Sequence, residues 1–119
     1  MSSFLESTLL AGCPGLRASW DSHRRTFAAH DEPDDQMLFD AVRRYVIGLL
    51  AAGRTAEFSR FARALERMLG EADPILFDVL RDGLVVPLAH EVRDAGLDES
   101  RLAPYLGTRT ALAWPRRSS

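Results

Sequence analysis

Few residues in this chain have the types and spacing that chemistry requires. The run His90-Glu91-Val92-Arg93-Asp94 puts a His and an Asp one helical turn apart, with a Glu beside the His. That is the spacing of the zinc-protease helix signature, in which two His one turn apart hold the metal and the Glu acts as base. Here Asp94 stands where the second His is required. Asp can ligate zinc, but no third ligand is indicated, so the run reads as a polar helix face and no metal site is expected. His23 and His30 lie seven residues apart; a continuous helix would put both on one face. With Asp31 or Asp35 nearby they could form a metal or acid–base pair, although an exposed amphipathic face explains them more simply. Cys13 would be a nucleophile only with a neighbouring base to lower its pKa, and no Cys–His–Asp pattern accompanies it. No phosphate-cradling loop, nucleophile elbow or dinucleotide fingerprint is present. The expectation is a protein without catalytic residues or cofactors.

Charge is the next property that could do work. All 15 basic residues are Arg, with no Lys in the chain, and the net charge is -2. Along the chain the charges segregate. Asp31, Glu32, Asp34 and Asp35 form one acidic stretch, extended by Asp40. Residues 43 to 67 hold six Arg against two Glu, and residues 71 to 99 hold eight acids against two Arg. An acidic surface at Asp31, Glu32, Asp34 and Asp35, and a second at Asp78 and Asp82, could dock a basic partner, because complementary charge speeds encounter and enforces specificity. Asp78 and Asp82 are one turn apart, a repulsive pair in isolation that Arg81 could relieve. Arg60, Arg63 and Arg67 project opposite Phe58, Phe61 and Leu65. The two helices around Gly53 could therefore imitate a helix-turn-helix, with the second helix in a major groove. Against that, Glu66 lies near the Arg face, no Ser, Asn or Gln set accompanies the arginines, and the net charge is acidic. Nucleic acid is therefore the alternative reading.

These residues need elements to position them. The chain has 119 residues, 46% of them hydrophobic, enough for one domain over 1–119 with a real core, and 115–119 reads as a tail. One Cys excludes an internal disulfide and makes the cytoplasm the default compartment. The N-terminus lacks the basic start of a signal peptide. The apolar runs "YVIGLLAAG" and "GLVVPLA" are too short to span a membrane. Ser3 and Glu6 have capping-box spacing and predict a short helix from Phe4 to Cys13-Pro14-Gly15. A second helix is expected over 16 to 29, with Leu16, Trp20 and Phe27 inward, and "HDEPDD" as a loop. The third, over 36 to 52, has the widest apolar stripe and should be the most buried, with Gly53 as its left-handed stop. Thr55 should cap the fourth, over 55 to 69, whose inner face is Phe58, Phe61, Leu65 and Met68. The short link between the third and fourth predicts an antiparallel hairpin. A fifth helix starts at Asp73-Pro74 and must pass Pro87. A strand over "GLVVPLAHEV" is one option; a kinked helix is favoured, because the helical proline would clash with the carbonyl of Gly83, the least encumbered residue available. Leu97, Asp98 and Leu102 fit a hydrophobic staple around an Asp cap. The fold expected is an all-α bundle of about five to six helices, with antiparallel hairpins and a short C-terminal helical clasp.

"RRYVIGLLAAG", a helix bearing Phe58, Phe61 and "LERML", and the closing "LAPYLGTRTALAW" resemble a family of short bacterial helical proteins. The family's hallmark is a C-terminal "YLG" followed by Thr and then Trp, here Tyr105, Leu106, Gly107, Thr110 and Trp114. The resemblance covers residues 36 to 114. The family's acidic "LLED"-like patch is replaced here by "LVVPLAHE". Its members are for the most part uncharacterised, and some resemble immunity proteins encoded beside secreted or contact-delivered toxins. The resemblance implies a helical cytoplasmic protein that neutralises a cognate toxin domain by binding it. Toxins that act on nucleic acid tend to present basic clefts, which the acidic residues would oppose. A membrane partner is not expected, and a homodimer stays open. Within the motif itself, Gly107 would end one turn, Thr108 would cap the next, and Thr110 to Trp114 would make a last turn closed by an aromatic clasp of Tyr105 and Trp114.

Overall fold

The computed structural model describes residues 3–18, 20–22 and 35–115. Among them every regular element is helical. α1 spans Ser3–Gly12, and a 3-10 turn at Pro14–Leu16 follows. The backbone is helical again at 17–18 and 20–22. α2 runs Asp35–Ala51 and α3 Thr55–Glu71. Pro74–Leu80 forms α4, which passes through a π turn, Arg81–Val85, into α5, Val86–Asp94. Two 3-10 turns, Glu99–Arg101 and Ala103–Tyr105, lead to α6, Thr108–Ala113.

α2 ends as its sequence requires. Gly53 takes φ 73°, and the N–H groups of Arg54 and Gly53 reach back to the carbonyls of Leu49 and Leu50. This reciprocal pair satisfies the last turn's orphan carbonyls. Gly96, at φ 72°, ends α5 in the same way, with Leu97 bonded to Val92 and Gly96 to Arg93. The three-residue link after α2 turns the chain back, and α2 packs against α3 as a hairpin. Thr55 is not the cap of α3: Arg54 holds that position without a side-chain bond to the helix. It pairs with Glu57 instead, so the charge of the first turn replaces a cap. α1 likewise starts at Ser3, one residue before the expected boundary.

α3 is the hub. α1, α2, α6 and the turn at 103–105 all lie against it. Phe58, Phe61, Ala62, Leu65, Met68 and Leu69 are buried on it. The wide apolar stripe of α2 suggests that α2 holds this place, yet Ile47 and Leu50 stay partly exposed. Stripe width counts apolar side chains; it does not count neighbours. α1 approaches α3 closely because a Cβ on Gly12 would come within 2.7 Å of the Ala64 methyl. Leu16 and Trp20 are buried, as their helical spacing predicts; Phe27 lies outside the described residues.

The segment over Pro87 is helical throughout, so the kinked helix is correct and the strand is not. The form of the kink is a π turn, with the Val86 N–H bonded to the Arg81 carbonyl five residues back. Pro87 has no N–H to give the Gly83 carbonyl. Arg43 of α2 supplies the donor: its Nη1 lies 2.8 Å from the Gly83 oxygen. The same guanidinium bonds Asp40 and Glu91. Gly83 also lets α2 come close, since a Cβ there would meet the Phe39 ring at 2.9 Å.

The closing motif is built around the carboxylate of Glu66 in α3, 44 positions before Thr110. Glu66 accepts from the backbone N–H groups of Arg109 and Thr110, from the Thr110 hydroxyl and from the Arg109 guanidinium. It therefore caps α6 from another helix. Thr108 does not cap this helix, and Gly107 is not a left-handed stop: its φ is -74°, and it carries no side-chain cap. Gly107 must be small for another reason. A Cβ there would lie 2.3 Å from the Glu66 carboxylate oxygen. Thr110 is fully buried. Tyr105 packs edge-on against Phe58 at 5.9 Å. Trp114, just past the end of α6, donates from Nε1 to Glu99 at 2.9 Å, and Arg93 binds both Glu99 and the Pro115 carbonyl. Leu106 packs half-buried on the core.

Candidate functional site

α4 starts at a strong signal. Asp73 caps it, accepting from the Leu76 N–H at 2.7 Å, and Pro74 takes the first position. Its inner side is anchored by Leu80, which is fully buried, with Leu76 and Phe77 packed against the core. Its outer side carries Ile75, Asp78 and Val79, and Asp82 continues the line in the π turn that follows. The spacing i, i+3, i+4, i+7 puts these four on one stripe. All four are exposed: Ile75 by 78% and Val79 by 40%, with the Asp78 and Asp82 side chains at 61% and 67%. An Ile left almost wholly in water beside a fully buried Leu on the same helix is the most conspicuous exposed apolar side chain on this element.

Asp78 and Asp82 share a counterion. Arg81 lies 3.2 Å from Asp78 and 2.9 Å from Asp82, which relieves the repulsion expected of two acids one turn apart. The Arg81 hydrogen bond holds the Asp82 carboxyl below the ordinary carboxylate range, slight burial opposing it. Asp82 is therefore ionised at neutral pH, and by residue type the stripe sets two acids against the one Arg81.

Of the acidic stretch at 31–35, only the backbone of Asp35 is described. Asp35 is the first residue of α2, and Gln36 follows it. A Cβ on Gly83 would lie 3.8 Å from the Gln36 amide oxygen, so the start of α2 lies beside the residue that follows Asp82. Asp31, Glu32 and Asp34 fall outside the described residues, as does the side chain of Asp35. The structure thus brings the start of α2, at Asp35 and Gln36, to the same quarter of the bundle as Asp82.

The other candidates are placed differently. Arg60, Arg63 and Arg67 are exposed on the hub helix, with Arg67 paired to Glu71 at 3.2 Å. Arg60 and Arg67 border a groove of about 370 Å³ whose far wall is Phe4, Ser7, Thr8, Ala11 and Gly12 of α1. A helix flanked by α1, α2 and α6 leaves only a narrow strip for a duplex, unlike a recognition helix that protrudes from its domain. A second cleft, about 420 Å³, is bounded by Asp40, Arg43, Arg44, Ile47 and Glu91. Its charged groups are largely engaged with one another around Arg43. His90 is exposed on α5, one turn from exposed Asp94, while Glu91 is committed to Arg43. His23 and His30 lie outside the described residues. No group of three or more His, Cys, Asp or Glu is placed to hold a metal among the described residues. Cys13 is fully buried and burial pushes its thiol up to about 12.

Chemically, the α4 stripe can hold a surface rather than transform a substrate. It offers two carboxylates and two branched apolar side chains on a capped helix. Sequence reading found the two Asp and missed Ile75 and Val79. In "PILFDVLRD" apolar residues occur all round the helix, so every one of them reads as core. The available signal was that Ile75 and Val79 alone have Asp neighbours at both i+3 and i+7 or at i+3. No helix among the described residues is long and apolar enough to cross a membrane. Compared with protein-family models, curated proteins and solved structures, the chain matches none.

Proposed function

We propose that this protein is a binding protein of the immunity type, which neutralises a cognate bacterial toxin domain by covering it in a stoichiometric complex. The observation that carries the reading is the exposed stripe Ile75, Asp78, Val79 and Asp82, in the same quarter of the bundle as the start of α2. Two exposed apolar side chains interleaved with two acids suit a basic partner surface, such as the substrate cleft of a nuclease-like toxin. The resemblance of "YLGTRTALAW" to a family with immunity-like members supports the same reading. On this reading the protein has no catalytic role and works in the cytoplasm, where a lone buried thiol stays reduced.

The test is co-expression with the C-terminal domain encoded by the neighbouring reading frame. The expected outcome is that this domain alone arrests growth, that the present protein restores it, and that the two copurify in a 1:1 complex. Continued arrest in the presence of soluble, folded protein would refute the reading. Nucleic-acid binding through Arg60, Arg63 and Arg67 is the competing reading. A mobility shift that persists at physiological salt and vanishes on Arg63→Glu would replace the first with the second.

A further inference from the structure

We infer that the outer stripe of α4 is the docking site itself, with Ile75 and Val79 as its anchors, and that its occupant is a protein presenting an apolar pocket bordered by Arg or Lys. This rests on the binding role proposed above and deepens it by naming the surface and the chemistry of the partner. Four observations support it together.

First, Ile75 is 78% exposed and Val79 40%, on a helix whose hold on the core is already supplied by Leu76, Phe77 and Leu80. The two side chains contribute little to the fold, and desolvating them on a partner would gain apolar burial. Second, they occupy adjacent turns and alternate along the stripe with Asp78 and Asp82. Ile75 and Val79 thus stand at i and i+4 of the i, i+3, i+4, i+7 set by which a helix lays anchors into a groove, with Asp78 and Asp82 at the other two positions. Third, the helix is held at both ends before any partner arrives, by the Asp73–Pro74 cap and by the π turn locked to α2 through Arg43 and Gly83. Little ordering is then lost on binding.

Fourth, charge selects among occupants. A two-fold pairing of this face with a second copy would set Asp78 and Asp82 against the same carboxylates, because such an interface is self-complementary. Across the pair, two Arg81 guanidiniums would then face four carboxylates. A basic protein instead meets complementary charge at Asp78 and Asp82 and apolar surface beside them at Ile75 and Val79. Arg81, shared between the two Asp, can release either carboxylate to an incoming cation without leaving the other unpaired.

The experiment places a photo-crosslinking phenylalanine analogue at position 75 of the full chain, in its native host, with position 63 as an exposed control. The expected result is one discrete adduct from position 75 and none from position 63. The adduct's partner, once identified, is purified and the complex reconstituted. Ile75→Asp and Val79→Ser should each weaken binding by at least about tenfold, with unchanged melting temperatures. Asp78→Arg with Asp82→Arg should slow association several-fold at low salt and much less at high salt. No adduct at position 75, a self-adduct with a dimer in sedimentation, or full affinity for the folded Ile75→Asp and Val79→Ser variants would each overturn the assignment. The two levels separate cleanly. A partner held through this face that is harmless to cells sinks the toxin reading and keeps the docking site. A toxin still neutralised by Ile75→Asp keeps the toxin reading and sinks the docking site.

Discussion

Single residues in this chain are chosen for what they must not do as often as for what they bond. Cys13 is fully buried with its thiol pushed up to about 12, so it behaves as a small apolar residue. A thiol reagent at pH 8 should leave native protein unlabelled for hours and label it at once in guanidinium; rapid native labelling would show that the site opens. Glu66 does the opposite. Partial burial raises its carboxyl, but the N–H groups of Thr110 and Arg109 and their side chains outweigh burial, and the net pKa is lowered. A depressed carboxyl stabilises the fold above its unfolded pKa and loses that contribution as pH falls through its folded value. Glu66→Gln should therefore cost about 1–2 kcal/mol at neutral pH. It should also flatten the fall in melting temperature between about pH 5 and pH 3. An unchanged acid profile would mean that the carboxylate is not what holds α6.

At the scale of elements, the long segment through α4 and α5 shows how a sequence conflict is resolved by a neighbour. Pro87 withdraws a donor and Gly83 is left with an acceptor; the helix widens into a π turn, and Arg43 fills the vacancy from α2. Arg43→Leu should destabilise the protein by about 2 kcal/mol, since it strands the carbonyl and removes a charge-assisted bond. Part of that loss should disappear when Pro87 is also changed to Ala, which restores an N–H. A double-mutant cycle by chemical denaturation measures it, and a coupling near zero would separate the proline from the arginine. The clasp is a second example. Trp114→Ala removes an apolar body and the Nε1 bond to Glu99, and should lower the melting temperature by several degrees. A normal melting temperature with lost partner binding would move the motif from scaffold to site.

Across the whole molecule, the radius of gyration of 14.0 Å is near the roughly 13.5 Å of a compact domain this long. The net charge of -2 conceals separate acidic and basic stretches along the chain. Their consequence should be kinetic. Asp34→Arg with Asp35→Arg, made in the stretch that leads into α2, should slow association with a basic toxin domain at low ionic strength and matter little when salt shortens the screening length. Stopped-flow mixing over a salt series reads this directly. Equal association rates at low salt would remove that stretch from the interaction surface.

Sequence alone determined the helical class, the hairpin of α2 and α3 and several element ends. Those properties are local: apolar spacing, the Asp73–Pro74 start and the left-handed Gly53 each act within one or two turns. The candidate stripe was half legible. Asp78 and Asp82 announce themselves by charge, whereas Ile75 and Val79 are chemically indistinguishable from the core residues Leu76 and Leu80. Only tertiary structure decided which side of α4 faces inward, because that depends on how the π turn that follows it packs against α2 and α6. It also decided that α3, not α2, is the hub. Gly107 and Thr110 show the same limit most plainly. They look like a helix stop and a polar residue in a last turn, yet Gly107 is small and Thr110 buried because of a carboxylate on Glu66. That residue is 41 positions from Gly107 and 44 from Thr110 in the chain, beyond any local rule of spacing, and it reaches them only because α6 packs against α3.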